Sequence, residues 1–273
     1  MGETELNRKK EINTSTRNIL RFSRGIIEEK IDTVAVEHPI TIRINDKEFM
    51  TIVCTPDYIE DMVIGFLSSE GVIPKYESIK DMWLQEELGI VHIKTDTHFP
   101  FYEKMLNKRY ITSCCGMSRQ GFVFAHDALT AKEITSINVR LTPENCFSLM
   151  DQLDQSADMF RHTGGVHNAA LCDSDTIIIA RMDIGRHNAL DKLYGHCLKN
   201  NIPVQNKVIA FSGRISSEIL LKVAKIGCEI VLSKSAPTEL ALTLAEELGI
   251  TTVGFIRGES FNIYTHPERI SIE

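Results

Sequence analysis

Apolar and polar residues alternate from Asp32 through Thr-Val-Ala-Val-Glu-His-Pro-Ile-Thr-Ile-Arg-Ile, break at Asn45-Asp-Lys-Glu48, and alternate again over residues 49–54. A period of two on both sides of a polar break predicts a β-hairpin. Thr55-Pro56-Asp57 combines a capping hydroxyl, a proline for the first helical position and an acid for the first turn, so it predicts a helix start. The helix runs on Met62, Val63, Phe66 and Leu67 and stops at Gly71. Short strands are expected around 82–84 and 90–93. Thr142-Pro143-Glu144 repeats the start signal and opens an amphipathic helix on Phe147, Leu149, Met150, Leu153 and Met159 that closes near His162.

The second half is more regular. Apolar runs at 177–180, 208–211 and 229–232 each lead through a polar loop into a helical pattern, and the last two helices close at Gly227 and Gly249. Two more strands are expected at 251–256 and 261–264. Three strand–loop–helix units in a row predict a mostly parallel sheet with helices on its faces, and unbroken apolar runs are what buried parallel strands look like. The fold class is therefore α/β, with a smaller α+β domain in front. The expected division is a poorly ordered or partner-docking arm at 1–24, a small domain at 25–125 and the larger α/β domain at 126–273.

At 273 residues, 43% hydrophobic and 25% charged, the chain has the composition of an ordinary globular protein. A net charge of −7 gives no global basic field, so no nucleic-acid partner is expected. No apolar run is long enough to cross a membrane, and no signal-peptide core follows the basic Arg8-Lys9-Lys10, so the expected location is cytoplasmic. Seven cysteines, an odd number with no Cys-x-x-Cys pair, argue against a disulfide scaffold and against a sulfur-ligated zinc site. Cys54, Cys146, Cys172, Cys197 and Cys228 sit in apolar segments and read as small core residues.

Cys114 and Cys115 are different. They lie in Ile111-Thr-Ser-Cys-Cys-Gly-Met-Ser-Arg-Gln-Gly121, which neither alternates nor repeats at a helical period, so it reads as a loop. A thiol on a polar loop near a cation, here Arg119, can ionise and be reached. The second chemical feature is the set of loops after the C-terminal strands, which carry Arg181, Arg186, Arg214, Lys234 and Arg257. Ligands of open α/β sheets bind beyond the carboxyl ends of strands. Ser212-Gly213-Arg214, expected at a helix start, offers a hydroxyl, backbone N–H groups and a guanidinium to one anion, so the inferred ligand bears phosphate or pyrophosphate. His167, after two glycines, is expected to contact it. Asp183, His187 and Asp191 lack metal-site spacing; they read as a helix cap, a first-turn residue and an ion-pair partner, and no metal is expected.

Six ordered stretches carry a resemblance: Gly164-Gly-Val-His-Asn-Ala169, Asp183-Ile-Gly-Arg-His-Asn-Ala-Leu-Asp-Lys192, Ser212-Gly-Arg-Ile-Ser216, Ser235-Ala-Pro-Thr238, Val253-Gly-Phe-Ile-Arg257 and Tyr264-Thr-His-Pro-Glu-Arg269. With these the chain resembles the FdhD/NarQ family, the formate dehydrogenase accessory sulfurtransferases. The resemblance implies a C-terminal cytidine-deaminase-like three-layer α/β/α domain, a homodimer, and a cysteine that takes a persulfide sulfur from a cysteine desulfurase. It also implies that the sulfur passes to the molybdenum bis-pterin guanine dinucleotide cofactor, bound as substrate, before that cofactor enters formate dehydrogenase. A guanine nucleotide would serve as its analogue. The deaminase likeness concerns fold alone, because the zinc-deaminase signature is absent.

The family's loop reads Ser-Cys-Gly-x-Cys-Gly. Aligned here, it puts the persulfide on Cys115, with Cys114 at the serine and Ser118 at the second cysteine. The family's cofactor-binding segment falls on Phe255, Ile256, Arg257, Gly258, Glu259 and Ser260, and Arg214, His167, Arg186 and His187 complete the expected site. Two rival functions are a non-catalytic molybdenum-cofactor chaperone for formate dehydrogenase and a cysteine hydrolase with a histidine partner for Cys115.

Overall fold

The computed structural model describes residues 13–97, 111–112, 131 and 133–272. The first two strands, β1 (Thr14–Ser23) and β2 (Ile26–Ala35), pair antiparallel along their whole lengths. Residues 14–23, expected in a poorly ordered or partner-docking arm, form one side of a ribbon that turns at Arg24-Gly25, both at positive φ. The sequence hid this strand because the ribbon covers no core and so shows no apolar face toward one.

A five-stranded sheet follows, from β3 (His38–Ile44), β4 (Lys47–Cys54), β5 (Ile79–Gln85), β6 (Ile90–Thr95) and β7 (Ile111–Thr112), in the order β5-β6-β3-β4-β7. Asn45 and Asp46 at positive φ make the tight β3–β4 turn that the polar break predicted. Helix α1 (Ile59–Ser69) packs Met62, Val63 and Leu67 on Ile40, Ile42, Ile52, Val91 and Ile93. It starts later than expected. Tyr58, not Thr55, is its N-cap, in the left-handed region, because the Thr55 hydroxyl is engaged by Asp57 and Asp183 instead.

Helices α2 (Pro143–Gln155) and α3 (Asp158–Thr163) replace the single helix expected between 142 and 162. Thr142 caps α2 in a reciprocal box with Asn145, as the sequence indicated. The break falls at Ser156, whose hydroxyl donates to the Leu153 carbonyl. The remaining elements are β8 (His167–Cys172), β9 (Ile177–Asp183), α4 (Arg186–Lys199), β10 (Val208–Phe211), α5 (Ser217–Ile226), β11 (Ile230–Ser233), α6 (Glu239–Leu248), β12 (Thr251–Arg257) and β13 (Ser260–Thr265).

Their six strands are ordered β13-β12-β11-β10-β8-β9. The expected mostly parallel sheet is in fact mixed: only β10–β11 and β11–β12 are parallel. The cause is β8, a strand that the sequence analysis did not expect and that inserts between β9 and β10. Because β8 is antiparallel to both, β9 still points the same way as β10, so the ends of β9, β10, β11 and β12 meet at one edge. On one face Ala169, Leu171, Ile209, Phe211 and Val231 pack under α4, α5 and α6. On the other, Ala170, Cys172, Ala210, Leu232 and Val253 pack under α2, which makes three layers. No helix among the described residues is long and apolar enough to cross a membrane.

Candidate functional site

The common edge of the six-stranded sheet gathers most of the sequence-predicted binding residues. His167 opens β8 directly opposite Asp183, the last residue of β9. Arg186 and His187 follow in the first turn of α4, and His187 Nε2 lies 2.9 Å from Glu218 Oε2 on α5. Burial lowers the His167 pKa, and the nearby Arg186 lowers it further. Burial likewise lowers that of His187, against the opposing pull of Glu218. Both imidazoles are therefore held toward the neutral form, able to donate or accept a hydrogen bond.

Next along the edge, Ser212 exchanges hydrogen bonds with Asn168, and Ser233 and Ser235 bond to the Gly213 and Ser212 carbonyls. A Cβ on Gly213 would lie 3.0 Å from the Phe211 ring and 3.3 Å from His167 Nδ1, so a side chain here would crowd both. The Ser-Gly-Arg turn is not itself a helix start: α5 is capped at Ser216. Arg214 is exposed on that turn.

The segment 255–260 is the bulged end of the β12–β13 hairpin. Arg257 pairs with Ser260 across the turn Gly258-Glu259, and Gly258 takes the positive φ. Phe255 sits in the bulge at φ 54, a backbone region that costs an aromatic residue about 1–3 kcal/mol. The bulge turns its ring outward beside the Arg257 guanidinium, whose Nε donates to the Lys234 carbonyl at 3.1 Å. Lys234 itself pairs with Asp154. Arg181, expected among the free cations, is not one: it is buried under Tyr58 and directed at Asp61 and His196. At the same edge Asn168 Oδ1, Arg186 Nε and Ser216 Oγ are buried without a hydrogen-bond partner among the described residues. Groups left in that state are the ones an incoming polar ligand satisfies.

Beneath the edge, the two sheets are joined by a buried charge cluster that the sequence did not reveal. Asp183 Oδ2 accepts from Thr55 N at 2.9 Å and meets Lys192 Nζ at 2.8 Å, while Oδ1 accepts from Gly185 N and Asn188 Nδ2; the N-cap of α4 is Gly185, not Asp183 as expected. Lys192, wholly buried, also reaches Asp57 at 2.6 Å. Burial would lower the Lys192 pKa, but Asp183 and Asp57 outweigh it and raise the value. Burial would raise that of Asp57, and Lys192 brings it down. The Lys192 contribution to stability is thus complete below pH 10.5 and fades as pH rises through the raised pKa; the Asp57 contribution is complete above 3.8 and fades as pH falls through the lowered one.

Lys192→Met keeps the volume and leaves two buried carboxylates unpaired, which should cost about 3–5 kcal/mol. Without Lys192 to oppose it, burial pushes the Asp57 pKa up, so the variant, unlike the wild type, should gain stability as pH falls from about 8 to about 5. Urea midpoints across that range measure it.

Cys114 and Cys115 lie outside the described residues. The chain enters their segment from Thr112, which pairs with Ile52 on β4. β4 ends at Cys54, next to Thr55 and its bond to Asp183. The five cysteines read as core are all buried, as expected. Desolvation raises the thiols of Cys146 and Cys172 to about 12 and that of Cys197 to about 11, which leaves them unreactive.

Comparison with known proteins gives consistent matches. The profile of the FdhD/NarQ family matches residues 35–271. A Shouchella clausii protein named sulfur carrier protein FdhD is 54% identical over 266 residues, covering 97% of this chain and 99% of the relative. A Bacillus subtilis protein of the same name is 52% identical over 257 residues, covering 94% and 97%. In structure, the chain is similar to a Desulfotalea psychrophila protein assigned as a formate dehydrogenase accessory protein, with a TM-score of 0.76, 25% identity, and coverage of 95% of this chain and 100% of the other.

Proposed function

The chain belongs to the FdhD/NarQ family, and we propose on that premise that it is a cytoplasmic sulfur carrier for formate dehydrogenase, with Cys115 as the carrying thiol. The observation that supports this most is identity of 52–54%, over more than nine-tenths of the chain, to proteins named as sulfur carriers. In this reading the Cys115 thiolate attacks the outer sulfur of a cysteine desulfurase persulfide. The donor's S–S bond breaks, the donor leaves as a thiolate, and the new persulfide is on Cys115. Cys114, its neighbour, is the second candidate carrier.

The recipient is the molybdenum bis-pterin guanine dinucleotide cofactor, bound as substrate at the strand edge. Its pyrophosphates suit the guanidinium groups of Arg186, Arg214 and Arg257. The outward Phe255 ring offers a flat surface to a heterocycle, and the near-neutral His167 and His187 offer hydrogen bonds. The deaminase-like arrangement of the C-terminal layers and the homodimer belong to the same reading.

Incubation with a cysteine desulfurase and free cysteine should add the mass of one sulfur atom to the peptide carrying Cys115. No added sulfur on either Cys114 or Cys115 would favour the chaperone reading, which Ser118 at the family's second cysteine position makes worth testing. Arg257→Ala should weaken binding of a guanine nucleotide roughly tenfold or more by calorimetry, the loss expected of one charge-assisted contact. An unchanged affinity would remove Arg257 from the site.

A further inference from the structure

His187 and Glu218 meet at the strand edge from two different helices. His187 lies in the first turn of α4, and Glu218 in the first turn of α5, where the helix dipole favours a carboxylate. His187 Nε2 is buried and makes no well-aligned hydrogen bond among the described residues; what it faces is Glu218 Oε2 at 2.9 Å. A bare ring nitrogen would be repelled by a carboxylate at that distance, so Nε2 carries the ring proton. Burial, with Lys222 and Arg186 nearby, holds the ring toward its neutral form against Glu218, and a neutral imidazole has one such proton only. Nδ1 is therefore a bare acceptor. The side chain keeps 24% of its surface exposed, and with Nε2 buried it is the Nδ1 side of the ring that is left for a ligand. A pyrophosphate bears only acceptor oxygens, so His187 does not suit the phosphates that the guanidinium groups of the edge suit.

We propose that Glu218 is a positioning residue that fixes His187 as a hydrogen-bond acceptor, and that His187 thereby selects a heterocycle with an aminopyrimidinone edge. That edge, common to guanine and pterin, sets a ring N–H and an amino N–H side by side, both donors. Adenine has a bare ring nitrogen where guanine has the ring N–H, so it meets Nδ1 lone pair to lone pair. The inference rests on the reading of the strand edge as the place where the cofactor docks. Within that reading the work divides: Arg214 and Arg257 hold phosphate charge and tell no base from another, and His187 tells them apart. A site built to pair with an N–H discriminates strongly against a ligand that lacks it, because its own polar group is then left unpaired.

Ring-nitrogen NMR of the full chain labelled at histidine, with the His187 signals identified by their loss in His187→Gln, should show the proton on Nε2. In Glu218→Ala the proton should move in part to Nδ1. Glu218→Gln, whose amide oxygen accepts the same N–H, should restore it to Nε2. A wild-type His187 protonated on Nδ1 overturns the proposal, whatever the variants do. Calorimetry then uses guanosine diphosphate, adenosine diphosphate and free pterin as probes. His187→Ala and Glu218→Ala should each weaken one aminopyrimidinone probe about tenfold, with no change toward adenosine diphosphate and with recovery in Glu218→Gln. Weakened guanosine diphosphate makes guanine the base read; weakened pterin with unchanged guanosine diphosphate makes it the pterin. Equal weakening of guanosine and adenosine diphosphates puts His187 on the phosphates and overturns the proposal. A wild type that binds the probes while both variants match it overturns this inference alone. A wild type that binds neither guanosine diphosphate nor pterin overturns the docking reading and this inference together.

Discussion

Gly195→Ala should leave little folded protein, with a stability loss of at least ~3 kcal/mol read from the urea midpoint. A Cβ at this position would lie 1.8 Å from the Asp61 carbonyl oxygen, and one on Gly65 would lie 1.9 Å from that of Asp191. Helices α1 and α4 thus cross with each glycine resting on the other's backbone. No side-chain movement relieves a backbone clash, so the helices must separate. Separation would also open the polar pairs that span the crossing: Asp61 with His196 at 2.9 Å and Ser69 with Asp191 at 2.9 Å. Asp61, Ser69 and Asp191 are buried, so parting them takes hydrogen bonds from two buried carboxylates. Gly71→Ala is the informative control. Its φ is +70 but nothing lies within 4 Å, so only backbone strain of about 1–2 kcal/mol is expected.

Cys115→Ala should abolish both sulfur loading and the maturation of formate dehydrogenase, while guanine-nucleotide affinity stays as in the wild type. The loss should be complete because no described cysteine can substitute. All five are buried, and desolvation holds the thiols of Cys146, Cys172, Cys197 and Cys228 protonated. Cys114→Ala tells the neighbours apart: it should still accept sulfur if Cys115 is the carrier. Full maturation in the Cys115→Ala variant would sink the assignment, and a joint loss of nucleotide binding would show that the residue supports the strand edge instead.

Elements with a strong local signal were legible in the chain. The β3–β4 hairpin declared itself by alternation around Asn45-Asp46, and α2 by Thr142 and Pro143. The buried strands β10 and β11 stood out as apolar runs. Elsewhere the same local grammar misled. Thr55-Pro56-Asp57 has the composition of a helix cap, but a partner far along the chain, Asp183, competes for the Thr55 hydroxyl, and Lys192 takes Asp57. β8 begins just after a glycine pair, and its insertion between β9 and β10 depends on hydrogen bonds that no local pattern encodes.

The site shows the same division. Cations after successive strands could be read from the sequence, because every strand of a βα unit delivers its following loop to one edge. Which cations are available there could not. Arg181 precedes the end of its strand by two residues and points into the α1–α4 interface, while Arg214 and Arg257 remain exposed.

By itself the sequence determined the layered α/β class, the burial of five cysteines and the placing of a cation-bearing edge, since periodicity and local capping are properties of neighbouring residues. The tertiary structure alone decided the mixed sheet, the Lys192 cluster under the edge and the backbone contact at Gly65 and Gly195. Each of these joins residues more than a hundred positions apart or turns on strand order, and short-range pattern carries no record of such meetings.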